Sequence, residues 1–276
     1  MTRTTDGTYM RFRGGVLLLA TLLLAGACRE PDSSGSPPPA GSAPPAVPVD
    51  PAASALVSAA PNGIEKLGAA TILKRAKAAL RAAPSFRFTS EGFSEEGGLR
   101  LPRTTDLRVS GEDVHGTVTH GSHRMEWLFV DGNRYARADA AFWTATFGER
   151  EGQIGRELVG DRWMLVPPSL DGRVITADFG IGGLLDDAFD PAGDLGTGPR
   201  TRAGGVPVIT LTDSRDPASA VHVATAGKPY PIAWSGTGET GRITEIGVPF
   251  PPLVAPAEDN VFELTTLTES GRLTTL

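Results

Sequence analysis

The chain has 276 residues, with 26 Lys and Arg against 32 Asp and Glu, a net charge of −6, and one cysteine. The acidic balance argues against binding nucleic acid and against a basic grip on anionic lipid head groups. A single thiol excludes an internal disulfide framework.

Residues 1–27 read as a secretory signal. Arg3, Arg11 and Arg13 give a positive start, residues 16–24 are apolar except for Thr21, and Ala25-Gly26-Ala27 supplies small residues for a signal peptidase. The apolar run is too short to span a bilayer, which takes about 20 residues. Met10 offers an alternative start, since Met-Arg-Phe-Arg is the more usual opening of such a signal. Cys28 follows at once. The string Leu24-Ala25-Gly26-Ala27-Cys28 resembles a lipobox, the motif at which bacterial prolipoproteins are diacylated and cleaved. That resemblance implies lipidation of Cys28 and a lipid anchor on the extracytoplasmic face of the cell membrane. Two acyl chains hold more firmly than one, whose hold is marginal. Without residues 1–27 the chain keeps 23 basic and 31 acidic side chains, a net charge of −8.

Residues 28–62 are rich in Pro, Ser, Ala and Gly, as in Ser36-Pro-Pro-Pro. Such composition buries too little apolar surface to offset chain entropy, so an extended, disordered tether is expected. Residues 63–276 are the expected folded domain. It opens with a helix: Ile64, Leu67, Ile72, Ala76, Ala79, Leu80 and Ala83 recur at helical spacing, and Pro84 ends it. Lys66, Lys74, Arg75, Lys77 and Arg81 lie largely on the other side and read as a solvated face.

After Pro84 the period changes to two. Phe86/Phe88, Leu107/Val109, Val114/Val118 and Met125/Trp127/Phe129 alternate with polar residues, as half-buried strands do. Asp131-Gly132-Asn133 is a hairpin turn. Phe142-Trp-Thr-Ala and Arg162-Trp-Met-Leu-Val read as further short strands or edges, and residues 174–188 as one or two short helices around Leu184-Leu185. Strands return at 207–212, 220–225, 231–235 and 242–246. The class is α+β: a long antiparallel sheet with a helix at its start and a helical insert midway.

Several segments in this order resemble the LppX/LprA/LprF/LprG group of actinobacterial lipoproteins, which share the half-barrel fold of the LolA/LolB carriers. The matching pieces are the lipobox, the Ala-rich helix running into Ser85-Phe-Arg-Phe-Thr, Phe129-Val-Asp-Gly-Asn-Arg-Tyr-Ala-Arg with Phe142-Trp, Gly205-Val-Pro-Val, and Val221-His-Val-Ala-Thr-Ala-Gly-Lys-Pro-Tyr-Pro-Ile. The resemblance implies a strongly curved antiparallel sheet wrapped over helices, with an apolar cavity for the acyl chains of a lipid or glycolipid. A sheet with one apolar face and only two helices leaves that face incompletely covered, which is a ready acyl site. Phe86, Phe88, Trp127, Phe129, Val221, Val223, Ile232 and Trp234 are the residues expected to line it. The alternative is a protein-interaction or sensor-accessory module on the same fold, its concave face filled by its own side chains.

Other constellations are weak. His115 and His120 have opposite parity on a strand and face opposite ways, and His120 and His123 read as turn residues, so a metal site is not expected. His222 occupies the polar position of an alternating strand without an obvious partner. Asp186, Asp187, Asp190 and Asp194 lack the spacing of a calcium loop and read as a helix end and a turn. No nucleophile elbow, P-loop, dinucleotide fingerprint or zinc-protease motif occurs, so the sequence predicts neither an enzyme nor a cofactor.

Overall fold

A computed structural model of the chain describes residues 51–96, 99–166 and 181–263; the signal segment and Cys28 lie outside them. The alternating stretch after Pro84 forms a meander of β1 (Ser85–Glu96), β2 (Leu99–Ser110), β3 (Asp113–His120), β4 (His123–Val130) and β5 (Asn133–Ala138). At the last of its turns Asp131 and Gly132 both take positive φ, 52° and 75°. Two left-handed residues give the turn whose twist matches that of the flanking strands.

A second meander follows in β7 (Leu195–Ala203), β8 (Val206–Asp213), β9 (Ala220–Ala224), β10 (Pro231–Gly236) and β11 (Glu239–Thr244). β11 pairs antiparallel with β1, placing Ile243 opposite Phe88 and Gly241 opposite Ser90. β6 (Trp163–Leu165) extends the first meander beside β5, and β12 (Val261–Glu263) lies parallel to β6. Among the described residues this makes one open, strongly curved sheet of 12 strands, ordered β12-β6-β5-β4-β3-β2-β1-β11-β10-β9-β8-β7. The half-barrel expectation stands, with one correction: the β12–β6 pair makes the sheet mixed. Close backbone approach accompanies the curvature. A Cβ on Gly116 would lie 2.0 Å from the carbonyl oxygen of Asp106, so no side chain fits there.

The inner face is covered by α2 (Ala69–Arg81), α3 (Ala140–Val159) and α4 (Ile181–Phe189). α2 buries Ile72, Ala76 and Leu80 as its spacing predicts, and Leu73 as well, each large side chain contributing about 1.5–3 kcal/mol. Its first turn is shorter than expected, because residues 64–66 form a separate 3-10 turn. The basic side is not wholly solvated: Lys77 and Arg81 both pair with Asp186 on α4 and so tie the two helices together. α4 falls where the helical insert was expected.

Two expectations are overturned. Residues 142–145, read as a short strand, lie in the opening turns of α3, where Asp139 Oδ1 accepts the Phe142 N–H at 2.9 Å as an N-cap. Within the stretch expected to be tether, α1 (Pro51–Ser58) packs on β8 and buries Leu56. Asn62 then pins the chain, its Nδ2 donating to the carbonyls of Ala224 and Gly227 at 3.0 and 3.1 Å. The folded region therefore begins before residue 63.

On the outer face, residues 245–260 cross the sheet as a Pro-rich strap. Ser85 Oγ donates to the Val248 carbonyl at 2.6 Å, Arg108 lies over the Phe250 ring, and Leu253 and Ala255 pack on Leu128, Val130, Tyr135 and Trp163. Beside the strap Arg87 grips Asp106 with two hydrogen bonds, 2.8 and 2.7 Å, and reaches Glu245 at 3.1 Å. The hydrogen bonds from Arg87 hold the Asp106 carboxyl below its ordinary range.

A carboxyl depressed in the folded state stabilises fully above the unfolded carboxylate range, near 4, and loses that contribution as pH falls through its folded value. Asp106→Asn should therefore lower stability at pH 7 by about 1 kcal/mol or less, the pair being partly exposed. It should also flatten the loss of melting temperature below pH 4, read by calorimetry from pH 7 to pH 2.

Candidate functional site

Successive side chains on a strand point to opposite faces, so the register lays rows of residues across the inner face. The first row runs Phe86, Val109, Val114, Phe129 and ends on Arg134, whose guanidinium lies 5.8 Å over the Phe129 ring. The second runs Ile243, Phe88, Leu107, Gly116, Trp127, Ala136. The third runs Trp234, Gly241, Ser90, Thr105, Val118, Met125. The first two rows are almost wholly apolar.

Seven of the eight residues expected to line a cavity meet in one cluster. Phe86, Phe88, Val221, Val223 and Trp234 are buried in it, beneath α2 and α4, and Phe129 and Ile232 are half-buried against it. Trp234 is its centre. The indole lies 4.6 Å from the Phe88 ring, and 5.4 Å from the Phe189 ring, which meets it edge-on. It rests on bare backbone, because a Cβ on Gly241 would stand 1.9 Å from Trp234 Cζ2. Trp127, the eighth, lies in a second cluster with Phe142, Trp143, Val159 and Met164 under α3.

α3 bends at Gly148 (φ 82°), and its second arm returns onto the first. A Cβ on Gly155 would lie 2.5 Å from Trp143 Cε3, so the indole packs into the space that glycine leaves. At the edges of the two helix-covered patches apolar side chains are only half-buried: Val118 and Met125 against the cluster under α3, and Phe129 against the cluster beneath α2 and α4. Ile181 and Leu184 of α4 are half-buried as well.

Sequence reasoning missed Phe189 and Trp143, which complete the two clusters. Phe189 follows Leu185 at helical spacing, a readable signal. Asp139 before Ala140-Ala141 was the readable sign of α3.

Several polar groups serve structure. His115 Nε2 lies 2.9 Å from Glu126 Oε1, and Arg137 Nε donates to Glu126 Oε2 at 3.1 Å, all on the outer face. Burial pushes the Glu126 carboxyl up, but the hydrogen bonds from Arg137 and His115 outweigh it and hold the group low. His222 has a partner after all, Thr210 Oγ1 at 3.1 Å, and burial lowers its pKa. Asp213 accepts the N–H groups of Arg215, Ala192 and Gly193 and closes the turn before β7. Among the described residues no group of three His, Cys, Asp or Glu converges as a metal site. No helix among them is long and apolar enough to cross a membrane.

No family model matches the chain, and no curated protein matches it. Solved structures do. The chain is similar to LprF and LppX. LprF from Mycobacterium bovis is 13% identical, with a TM-score of 0.41 over 68% of this chain and 97% of that one. The lipoprotein LppX from Mycobacterium tuberculosis is 12% identical, with a TM-score of 0.38 over 66% and 97%. MucB is 19% identical, with a TM-score of 0.29 over 69% and 61%. LprF and LppX are members of the group whose resemblance the sequence carries.

Trp234→Ala should cost about 3–5 kcal/mol in denaturant unfolding, and Gly241→Val should destabilise comparably by driving a side chain into the indole. A loss below 1 kcal/mol for both would show that Trp234 does not anchor the inner face.

Proposed function

We propose that the protein is a lipoprotein anchored through Cys28 to the extracytoplasmic face of the cell membrane. There it binds or transfers a lipid or glycolipid by laying the acyl chains on the inner face of its sheet. The observation that supports this reading is the incomplete cover of an apolar concave surface: Phe129 is half-buried at the edge of the cluster beneath α2 and α4, and Val118 and Met125 are half-buried at the edge of the cluster under α3. Burying a chain there yields about 0.8 kcal/mol per CH₂, and no bond need be made or broken. The reading is therefore non-enzymatic, without cofactor or nucleic acid. The contact of Phe88, Trp234 and Phe189 favours the second reading, a protein-interaction or sensor-accessory module whose inner face is filled by its own residues.

The protein purified from cell envelopes should carry extractable lipid in native mass spectrometry, about one molecule per chain, and Phe129→Gln should reduce it severalfold without unfolding the domain. A lipid-free protein that crosslinks to a single protein partner would establish the second reading. Labelled palmitate should enter the wild-type chain and be absent from Cys28→Ser; equal labelling of both would remove the anchor.

A further inference from the structure

The inner face changes chemistry along its strands. Beyond the row that ends in Ser90, Thr105, Val118 and Met125, the register places Arg103, His120 and His123 side by side on β2, β3 and β4. All three share the parity of Thr105, Val118 and Met125, so they face inward. The two-residue turn Gly121-Ser122 is what brings His120 and His123 opposite each other, with ring centroids 6.3 Å apart. These histidines therefore differ from His115, which faces outward to Glu126.

One row below, Thr105 is 6% exposed and its Oγ1 is a buried hydroxyl without a hydrogen-bond partner. Native structures rarely leave such a group unpaired unless something else satisfies it. Ser90, its cross-strand neighbour, is buried beside it. Glu239 lies two strands from Arg103, across Gly92, at about 10 Å. Passing along the strands, the face is thus apolar at Phe86 and Phe88, hydroxylic at Ser90 and Thr105, and basic at Arg103.

We propose that Arg103, His120 and His123, with Thr105 beneath them, form a head-group subsite for an anionic amphiphile, a lipid bearing a phosphate. The proposal rests on the acyl-binding reading above and gives the bound lipid a direction, tails toward Phe86 and phosphate at Arg103. Neighbouring strands bring the three side chains within reach of a single phosphate, and charge-assisted hydrogen bonds to phosphate are the stronger kind. The net negative charge of the chain does not oppose this, because the subsite is a local row and not a broad basic surface.

The test uses the full-length chain carrying Cys28→Ser in mild detergent, titrated with phosphatidylglycerol, with diacylglycerol of the same acyl chains, and with glycerol phosphate. Phosphatidylglycerol should bind roughly tenfold more tightly than diacylglycerol. Arg103→Gln, and separately His123→Gln, should bring it toward the diacylglycerol value while leaving diacylglycerol binding unchanged, which also shows that the variants are folded. Equal binding of the two lipids by the unsubstituted row would overturn the head-group subsite and leave the acyl-binding reading standing. Glycerol phosphate binding as tightly as phosphatidylglycerol would make this a free-anion site and overturn the proposal. Failure of both lipids to bind would overturn the acyl-binding reading itself.

Discussion

The pairing of β1 with β11 joins two meanders that are otherwise separate in the chain. Each meander is local: its strands follow one another through short turns and need no distant partner. The β1–β11 register decides how their apolar faces meet, because a slip of one residue would send Phe88 and Ile243 to opposite sides of the sheet. Flanking contacts clamp the seam from the outer side. Arg87 on β1 reaches Glu245 just after β11, and the Gly247 N–H donates to the Ser85 carbonyl at 2.8 Å.

From that seam the inner and outer faces acquire different tasks. The inner face gathers apolar residues from both meanders, and short helices rest on it without forming one continuous lid. The outer face carries ion pairs in its centre and a second apolar patch only where the strap lies, around Leu128, Val130, Tyr135 and Trp163. β4 is thus buried on both sides, Trp127 inward and Leu128 outward, yet still reads as an alternating strand because polar residues occupy its first half.

Much of this was legible because strand period and turn chemistry are local. Asp131-Gly132 marks its hairpin without tertiary context, and seven of the eight residues chosen for an apolar cavity do share one cluster. Where the reading failed, tertiary context overrode a local signal. Phe142-Trp143-Thr144 has strand propensity, and Gly148 interrupts the helical pattern, so the cap at Asp139 was easily passed over. α1 hid inside a Pro-rich stretch whose average composition is that of a spacer, although a Pro at the first helical position followed by alanines is a helix start. The strap was invisible for a different reason. Its packing partners, Ser85, Arg108 and the cluster of Leu128 and Tyr135, are far from it in sequence, and its prolines cannot contribute to a ladder. The inward-facing histidines were readable in principle, since a two-residue turn puts the residues on either side of it on the same face.

An open sheet of this length keeps two edges, and each is a row of unpaired backbone groups able to template another chain. Here both are blunted. Among the described residues β12 contributes three paired residues beside β6. At the other end β7 carries Pro199, two glycines and the cations Arg200 and Arg202, and its register with β8 shifts between Thr197 and Arg200. A proline lacks the donor, the bulge twists the edge away, and like charges would repel a second copy laid alongside. An open half-barrel can therefore keep a concave apolar face while its rims resist joining edge to edge into fibrils.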